Sequence, residues 1–185
     1  MRLLNSITVN KKFNTKKIGH TGTLDPIATG VLVVCIGKYT KLVDKITSYD
    51  KEYVATIKLG LKTDTYDITG NILETCENIY LNTLNSFIGK MMQEVPKYSA
   101  VKINGKKLYE YARNNEEISL PKREIEIKEI ELLSYTNQEI KFRTIVSKGT
   151  YIRSLINDIC NKLNVIGTMS SLTRTRQGNF KISDA

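Results

Sequence analysis

The chain has no tryptophan, one histidine (His20), three cysteines and three prolines in 185 residues. Each scarcity removes a class of chemistry. Cys35, Cys76 and Cys160 are far apart and form no Cys-x-x-Cys pair, so with a single histidine no zinc site of familiar spacing can be assembled. An odd, scattered set also argues against a disulfide framework and for a reduced, cytoplasmic protein with buried thiols. Cys160 falls on an apolar helix face and reads as core rather than as a nucleophile. No apolar run reaches the length of about 18 residues that a membrane-spanning helix needs, and the N-terminus holds no apolar stretch of signal-peptide length. Without tryptophan, any stacking on bases falls to the ten Tyr and four Phe.

What the chain does have is positive charge. Lys and Arg number 28 against 19 Asp and Glu, a net charge of +9. That excess favours a polyanionic partner, nucleic acid or an acidic membrane surface, over a lysine-rich surface with no partner only if a second feature supports it. The hydrophobic fraction of 41% and the length suit one domain with a sizeable core.

The most informative stretch is Gly19-His20-Thr21-Gly22-Thr23-Leu24-Asp25-Pro26-Ile27-Ala28-Thr29-Gly30, in which Asp25 is the only acidic group. Pro26 fixes its own φ and pushes Asp25 toward an extended conformation, which limits where the carboxylate points. Glycines on both sides leave room for a bulky ligand. A rigid carboxylate beside such a space suits a nucleophile or a general base, whereas Asp-Pro by itself is ordinary turn chemistry.

Residues 31–36 form an apolar run that reads as a buried strand, and residues 40–46 as a short helix. Residues 51–59 alternate through Tyr53, Ala55, Ile57 and Leu59 as a half-buried strand. Leu81, Leu84, Phe87 and Ile88 have helical spacing, with Gly89 as the stop. Asn104-Gly105 predicts a tight hairpin between residues 98–103 and 106–109. Ile125, Ile127, Ile130 and Leu132 alternate with one slip near Lys128, the mark of a bulge. Ile140, Phe142, Thr144 and Val146 alternate cleanly, and residues 134–137 join these two strands. Ile152, Leu155, Ile156, Ile159 and Leu163 mark an amphipathic helix ending at Asn164. The pattern is that of an α+β domain with a largely antiparallel mixed sheet. Residues 96–123, rich in Lys, Arg and Tyr, read as a protruding insertion whose interleaved cations and rings suit a phosphate backbone and exposed bases, or as a solvated hairpin.

The twelve-residue stretch closely resembles the catalytic motif of the TruB-type tRNA pseudouridine synthases, whose pattern runs Gly-His-Thr-Gly-x-Leu-Asp-Pro-x-Ala-Thr-Gly. Four further segments resemble that family in order: residues 50–53, 59–67, 98–102 together with 105–113, and 147–153. The resemblance implies the pseudouridine-synthase fold and the conversion of uridine to pseudouridine in the T-loop (position 55) of tRNA, with no cofactor and no metal. The target uridine is flipped out of its stack, and Asp25 acts as nucleophile on the uracil ring or on the ribose C1′. Arg153 corresponds to the arginine that pairs with the aspartate and Tyr53 to the tyrosine that stacks on the base. His20, Tyr151, Leu172 and Asp67 fall on the substrate side, and Lys106, Lys107 and Arg113 on the RNA-gripping insertion at about residues 96–123. Asp67 either joins the polar network around Arg153 or caps the turn that follows it.

The family also carries an earlier string close to Lys-Pro-x-Gly-x-Thr-Ser, which residues 1–17 do not show, and commonly continues into a small C-terminal RNA-binding domain. The expectation is therefore a catalytic domain over residues 1–185, trimmed at both ends, acting as a monomer on the T-arm of tRNA. The alternative is a catalytically impaired tRNA-binding or tRNA-folding module derived from such an enzyme.

Overall fold

A computed structural model of the chain describes residues 12–75 and 84–184. In chain order its strands are β1 (Ile18–His20), β2 (Ala28–Gly30), β3 (Val34–Ile36), β4 (Lys51–Leu59), β5 (Leu61–Thr63), β6 (Ile72–Thr75), β7 (Gly89–Glu94), β8 (Lys102–Ile103), β9 (Lys106–Lys107), β10 (Lys122–Tyr135), β11 (Glu139–Val146), β12 (Gly167–Gln177) and β13 (Phe180–Lys181). The helices are α1 (Val43–Thr47), α2 (Leu108–Arg113) and α3 (Ile152–Leu163).

The main sheet runs β13-β12-β4-β11-β10-β7, with β2 beside β12. The β2–β12 pairing is parallel and the other pairings in this sheet are antiparallel. This is the expected α+β architecture.

Period-two patterning decides which face is covered. On β4, Lys51, Tyr53, Ala55, Ile57 and Leu59 are buried while the residues between them stay partly exposed. Ile140, Phe142, Thr144 and Val146 of β11 and Ile125 and Ile127 of β10 extend that buried face. A register shift at Lys128 keeps Ile130 on the same side, as the sequence slip predicted. Against this face lies α3, through Ile152, Leu155, Ile156, Ile159 and Cys160. Leu155 is fully buried, so truncating it to Ala would cost about 2–5 kcal/mol. The helix ends where Asn164 adopts the left-handed conformation (φ 52°, ψ 45°) and the Val165 N–H returns to the Cys160 carbonyl at 2.9 Å.

The other face is wet and charged. Arg143 reaches Glu52, Glu129 and Glu131 at 2.9–3.1 Å, and Lys128 reaches Asp50 at 2.7 Å. Such partly exposed pairs contribute at most about 1 kcal/mol each. The core, and everything the sheet positions, therefore sits on the α3 side.

The insertion follows the hairpin signal. Asn104 (φ 51°) and Gly105 (φ 81°) form the tight turn joining β8 to β9. The second arm is shorter than expected, because Leu108 turns into α2 and is buried. The Glu110 carboxylate accepts the Lys107 N–H at 3.0 Å and starts that helix early.

Other expectations change as well. Only Val34–Ile36 of the apolar run 31–36 is strand, because the backbone of Val31 pairs with Arg174 of β12 instead. Of the helix expected over residues 81–88, residues 81–83 lie outside the described residues. Leu84–Phe87 is one 3-10 turn with Phe87 buried and Ile88 outside on the surface, and Gly89 opens β7 rather than merely closing a helix. Strand β12 was not anticipated. It is rich in Ser and Thr, and register shifts between Met169 and Ser171 and between Arg174 and Arg176 break its alternation.

Candidate active site

Strand β12 carries the loop that holds Asp25. The loop leaves β1, and the Ala28 N–H bonds back to the Asp25 carbonyl at 2.9 Å, closing a tight turn at Pro26. Then β2 enters the sheet beside β12, with Ala28 opposite Leu172 and Gly30 opposite Arg174. Gly30 has φ +101°, and a Cβ there would stand 2.2 Å from the Arg174 carbonyl oxygen. Only glycine permits so close an approach of the two backbones.

Two buried polar side chains of β12 tie both flanks of the loop. Arg174 donates from Nε to the Val31 carbonyl at 2.6 Å and from Nη2 to the Gly22 carbonyl at 3.2 Å. Its own carbonyl accepts the Val31 N–H at 2.8 Å. Gln177 donates to the carbonyls of Thr21 and Ile46, at 3.2 and 3.0 Å, and accepts the Thr21 hydroxyl at 3.0 Å. Alternation would put residues 174 and 177 on opposite faces. The irregularity at Thr175 brings both inward, at 1% and 0% exposure.

The carboxylate so placed meets Arg153, on the first turn of α3. Arg153 donates from Nε to Asp25 Oδ2 at 3.0 Å and from Nη2 to Asp25 Oδ1 at 2.9 Å, a two-pronged charge-assisted pair. Its remaining donors reach the Thr65 carbonyl at 3.2 Å and the Tyr98 carbonyl at 3.1 Å. Arg153 is 5% exposed, while a quarter of the Asp25 side chain stays open to solvent. A cation at a helix start faces the positive end of the helix dipole, so a buried arginine there needs an anion; Asp25 is that anion.

Tyr53 lies on β4 opposite Arg174 of β12 and is 7% exposed. Burial pushes its hydroxyl pKa up; the nearby Arg174 guanidinium opposes the shift, and the charge of Asp25 adds to it. Tyr53, Asp25 and Arg174 are thus within electrostatic reach of one another. Leu172, 5% exposed, packs between Ala28 of β2 and Ala55 of β4 as a core residue. Tyr151 precedes α3, half-buried. Gln93 holds both its N–H (2.8 Å) and its carbonyl (3.1 Å), and the Arg123 guanidinium sits 5.8 Å from its ring centre.

The other expected residues spread out from this centre. His20 is exposed at the end of β1, where its Nδ1 accepts the Gly22 N–H at 3.4 Å. Asp67 is buried and caps its own turn, accepting the Thr69 N–H at 2.9 Å. It also accepts the Thr65 hydroxyl at 3.1 Å, and the Thr65 carbonyl is what Arg153 touches, so Asp67 reaches Arg153 only through Thr65. Lys106 lies 4.5 Å from the Tyr111 ring and pairs with Glu116. Lys107 and Arg113 both sit 5.3 Å from the Tyr109 ring, which they cover. Tyr98, at the base of the insertion, also lines a cavity of about 470 Å³ together with Lys62, Tyr66, Lys97 and Asn115.

Cys35 and Cys160 are buried free thiols, and burial pushes the Cys160 thiol up to about 12, far from any nucleophilic range. Cys76 lies outside the described residues. Among the described residues no group of three His, Cys, Asp or Glu side chains gathers to hold a metal ion, and no helix is long and apolar enough to cross a membrane.

A single guanidinium-held carboxylate in a glycine-flanked loop, at the junction of a mixed sheet and its covering helix, defines a class of site; the comparisons give it a family. Residues 10–152 match the TruB family pseudouridylate synthase (N terminal domain), and the chain belongs to that family. It is 48% identical over 178 residues to tRNA pseudouridine synthase B of Fusobacterium nucleatum, covering 93% of this chain and 62% of that protein. Over 177 residues it is 51% identical to tRNA pseudouridine synthase B of Oceanobacillus iheyensis, covering 91% and 58%. The chain thus spans about three fifths of the length of these curated relatives. Among solved structures it resembles a chain of a Cbf5-Nop10-Gar1 complex (TM-score 0.68, 32% identity, 95% of this chain and 45% of that one). It also resembles a chain of an H/ACA RNP bound to a substrate RNA containing 2'-deoxyuridine (TM-score 0.67, 29% identity, 95% and 43%).

Sequence reasoning missed Arg174, Gln177 and Gln93. The available signal was a pair of long polar side chains among Thr and Leu in a stretch of strand-like composition, which only a buried partner justifies.

Proposed function

We propose that this chain is a catalytic domain that converts uridine to pseudouridine in the T-arm of tRNA, as a cofactor-free, cytoplasmic monomer. The observation that carries the reading is the two-pronged Asp25–Arg153 pair, with Tyr53 buried beside it. Family membership and relatives named tRNA pseudouridine synthase B support it.

The chemistry follows from the residues. An extruded uridine enters beside Asp25, at an unstacking cost of a few kcal/mol. The ionised carboxylate attacks the uracil ring or the ribose C1′, and the C1′–N1 bond breaks. The uracil turns so that C5 faces C1′, a C–C glycosidic bond forms, and the bond between Asp25 and the carbon it attacked breaks, which returns the free carboxylate. C5 then loses its proton and N1 gains one, so the product is an isomer of the substrate. Arg153 keeps the carboxylate oriented through the sequence, and a guanidinium stays protonated where a buried amine loses its proton. Tyr53 offers a ring face to the base, and Lys107 and Arg113 lie on the insertion that meets the RNA backbone.

The test uses a T-arm stem-loop RNA, with carbodiimide derivatisation to reveal the mass-silent product. The chain should give pseudouridine at one loop uridine. Asp25→Asn should give none while binding the RNA within about threefold. Normal turnover by Asp25→Asn ends the assignment of the nucleophile. Salt-sensitive binding by the unaltered chain with no product gives instead a tRNA-binding or tRNA-folding module.

A further inference from the structure

Arg174 is the least exposed charged side chain described, at 1%. Its hydrogen-bond acceptors are the carbonyls of Val31 and Gly22, and no carboxylate pairs with it among the described ion pairs. Burying a cation without an anion is unfavourable, so a plain tie would use a neutral donor. Gln177, three residues on, ties the same loop with an uncharged amide. Position 174 therefore carries a charge that loop anchoring does not require.

That charge is directed at the site. Arg174 stands opposite Tyr53 across the β4–β12 ladder, and its hydrogen bonds straddle the loop bearing Asp25. We infer that Arg174 is a positioning residue for the reaction, whose positive charge, beyond its hydrogen bonds, holds the Tyr53 hydroxyl and the Asp25 carboxylate in one working arrangement. The inference deepens the proposed function and rests on it.

The electrostatics agree. Arg174 is the first influence opposing the effect of burial on Tyr53. It is also the largest charge acting on Lys51, whose amine is lowered to about 8 by burial and then by Arg174. Lys51 is held at 2.9 and 2.8 Å by the Thr47 and Tyr49 carbonyls, and Arg153 is paired with Asp25, whereas Arg174 stands opposite Tyr53 and ties the backbone on both sides of the Asp25 loop.

The test separates charge from shape. Citrulline at position 174 keeps the Nε and one terminal N–H₂ donor and removes the charge. It is introduced by joining a synthetic segment 160–185 at the native Cys160 to give the full chain. Arg174→Lys keeps the charge and loses the fork. The prediction for citrulline is a cooperative melt, T-arm RNA binding within threefold of the unaltered chain, and a single-turnover rate at least tenfold lower. Arg174→Lys should keep more of the rate than the citrulline chain. A folded citrulline chain with the unaltered rate overturns the inference, as does Arg174→Lys falling below it. If the citrulline chain does not refold, Arg174→Gln and Arg174→Lys expressed directly carry the same comparison, with equal rates overturning it. Failure of the unaltered chain to make product is a different result, and it removes the proposed function itself.

Discussion

Asp25 and Arg153 are 128 residues apart in the chain and meet in parallel hydrogen bonds of 3.0 and 2.9 Å. Each comes from a segment whose direction is set elsewhere: the loop by β12, the guanidinium by the first turn of α3. Arg153 uses four hydrogen bonds, two to the carboxylate and two to the carbonyls of Thr65 and Tyr98. Lysine would supply charge at one point and lose the fork. Arg153→Lys should slow single turnover by about 2–4 kcal/mol in barrier, or roughly thirtyfold to a thousandfold, without loss of RNA affinity. Rapid-quench kinetics beside filter binding checks both halves. A parallel loss of affinity would mean that Arg153 binds RNA rather than aligning Asp25.

A second carboxylate sits in a less favourable place. Asp158 of α3 lines a cavity of about 270 Å³ with Glu94, Lys122 and Asn157. Burial first, then the charge of Glu94, raise its carboxyl from 3.8 to about 6. The unfolded chain releases this proton near pH 4, and the folded chain holds it to about pH 6. Its stabilising contribution is therefore complete below about pH 4 and lost as pH rises through about 6. The shift alone corresponds to about 3 kcal/mol, and partial solvent access reduces it to about 1 kcal/mol. Asp158→Asn should stabilise the fold by about that amount at pH 7–8 and give no gain at pH 4. Urea unfolding at the two pH values measures the difference.

The balance between what the sequence told and what it hid follows the same physics. Clean alternation over residues 51–59 and 140–146 gave β4 and β11, and the slip at Lys128 gave the bulge in β10. Helical spacing gave α3, and Asn164 gave its end. Asp25, with Pro26 and the flanking glycines, stood out as the candidate centre in the sequence, because rigid backbone and missing side chains are local signals. The family pattern, not spacing, put Arg153 beside Asp25. Long-range ties left no local trace. Arg174 and Gln177 share a face only through the irregularity at Thr175, and their partners lie 131–156 residues away. Asp67 was open between two roles, and it caps its own turn while reaching Arg153 only through Thr65.

The insertion makes a prediction about salt. Lys107 and Arg113 cover the Tyr109 ring without a described carboxylate partner, while Lys106 is already paired with Glu116. If the first two contact RNA phosphates, Lys107→Ala and Arg113→Ala should each lower the slope of log affinity against log salt by about 1. Lys106→Ala should lower it less, because Glu116 has offset that charge. Titrations of T-arm RNA between about 50 and 200 mM salt resolve the three. Equal slopes in all variants would place the RNA-contacting surface away from this insertion.

The closest approach of loop and sheet gives the last test. Gly30 combines φ +101° with a would-be Cβ 2.2 Å from the Arg174 carbonyl oxygen. Neither strain nor clash is relieved by a flexible neighbour, because the obstructing atom is backbone. Gly30→Ala should therefore cost about 2–4 kcal/mol, a fall in Tm of roughly 5–15 °C for a domain of this size. The strand pairing that seats the Asp25 loop gives way before the core does, since Leu155, Ile156 and Phe142 are untouched. Hydrogen exchange should then speed up at Val31, whose N–H bonds to the Arg174 carbonyl, while β4 and β11 stay protected. Uniform loss of protection across the sheet would mean that β2 belongs to the core's cooperative unit, and that the loop is not an independently adjustable part.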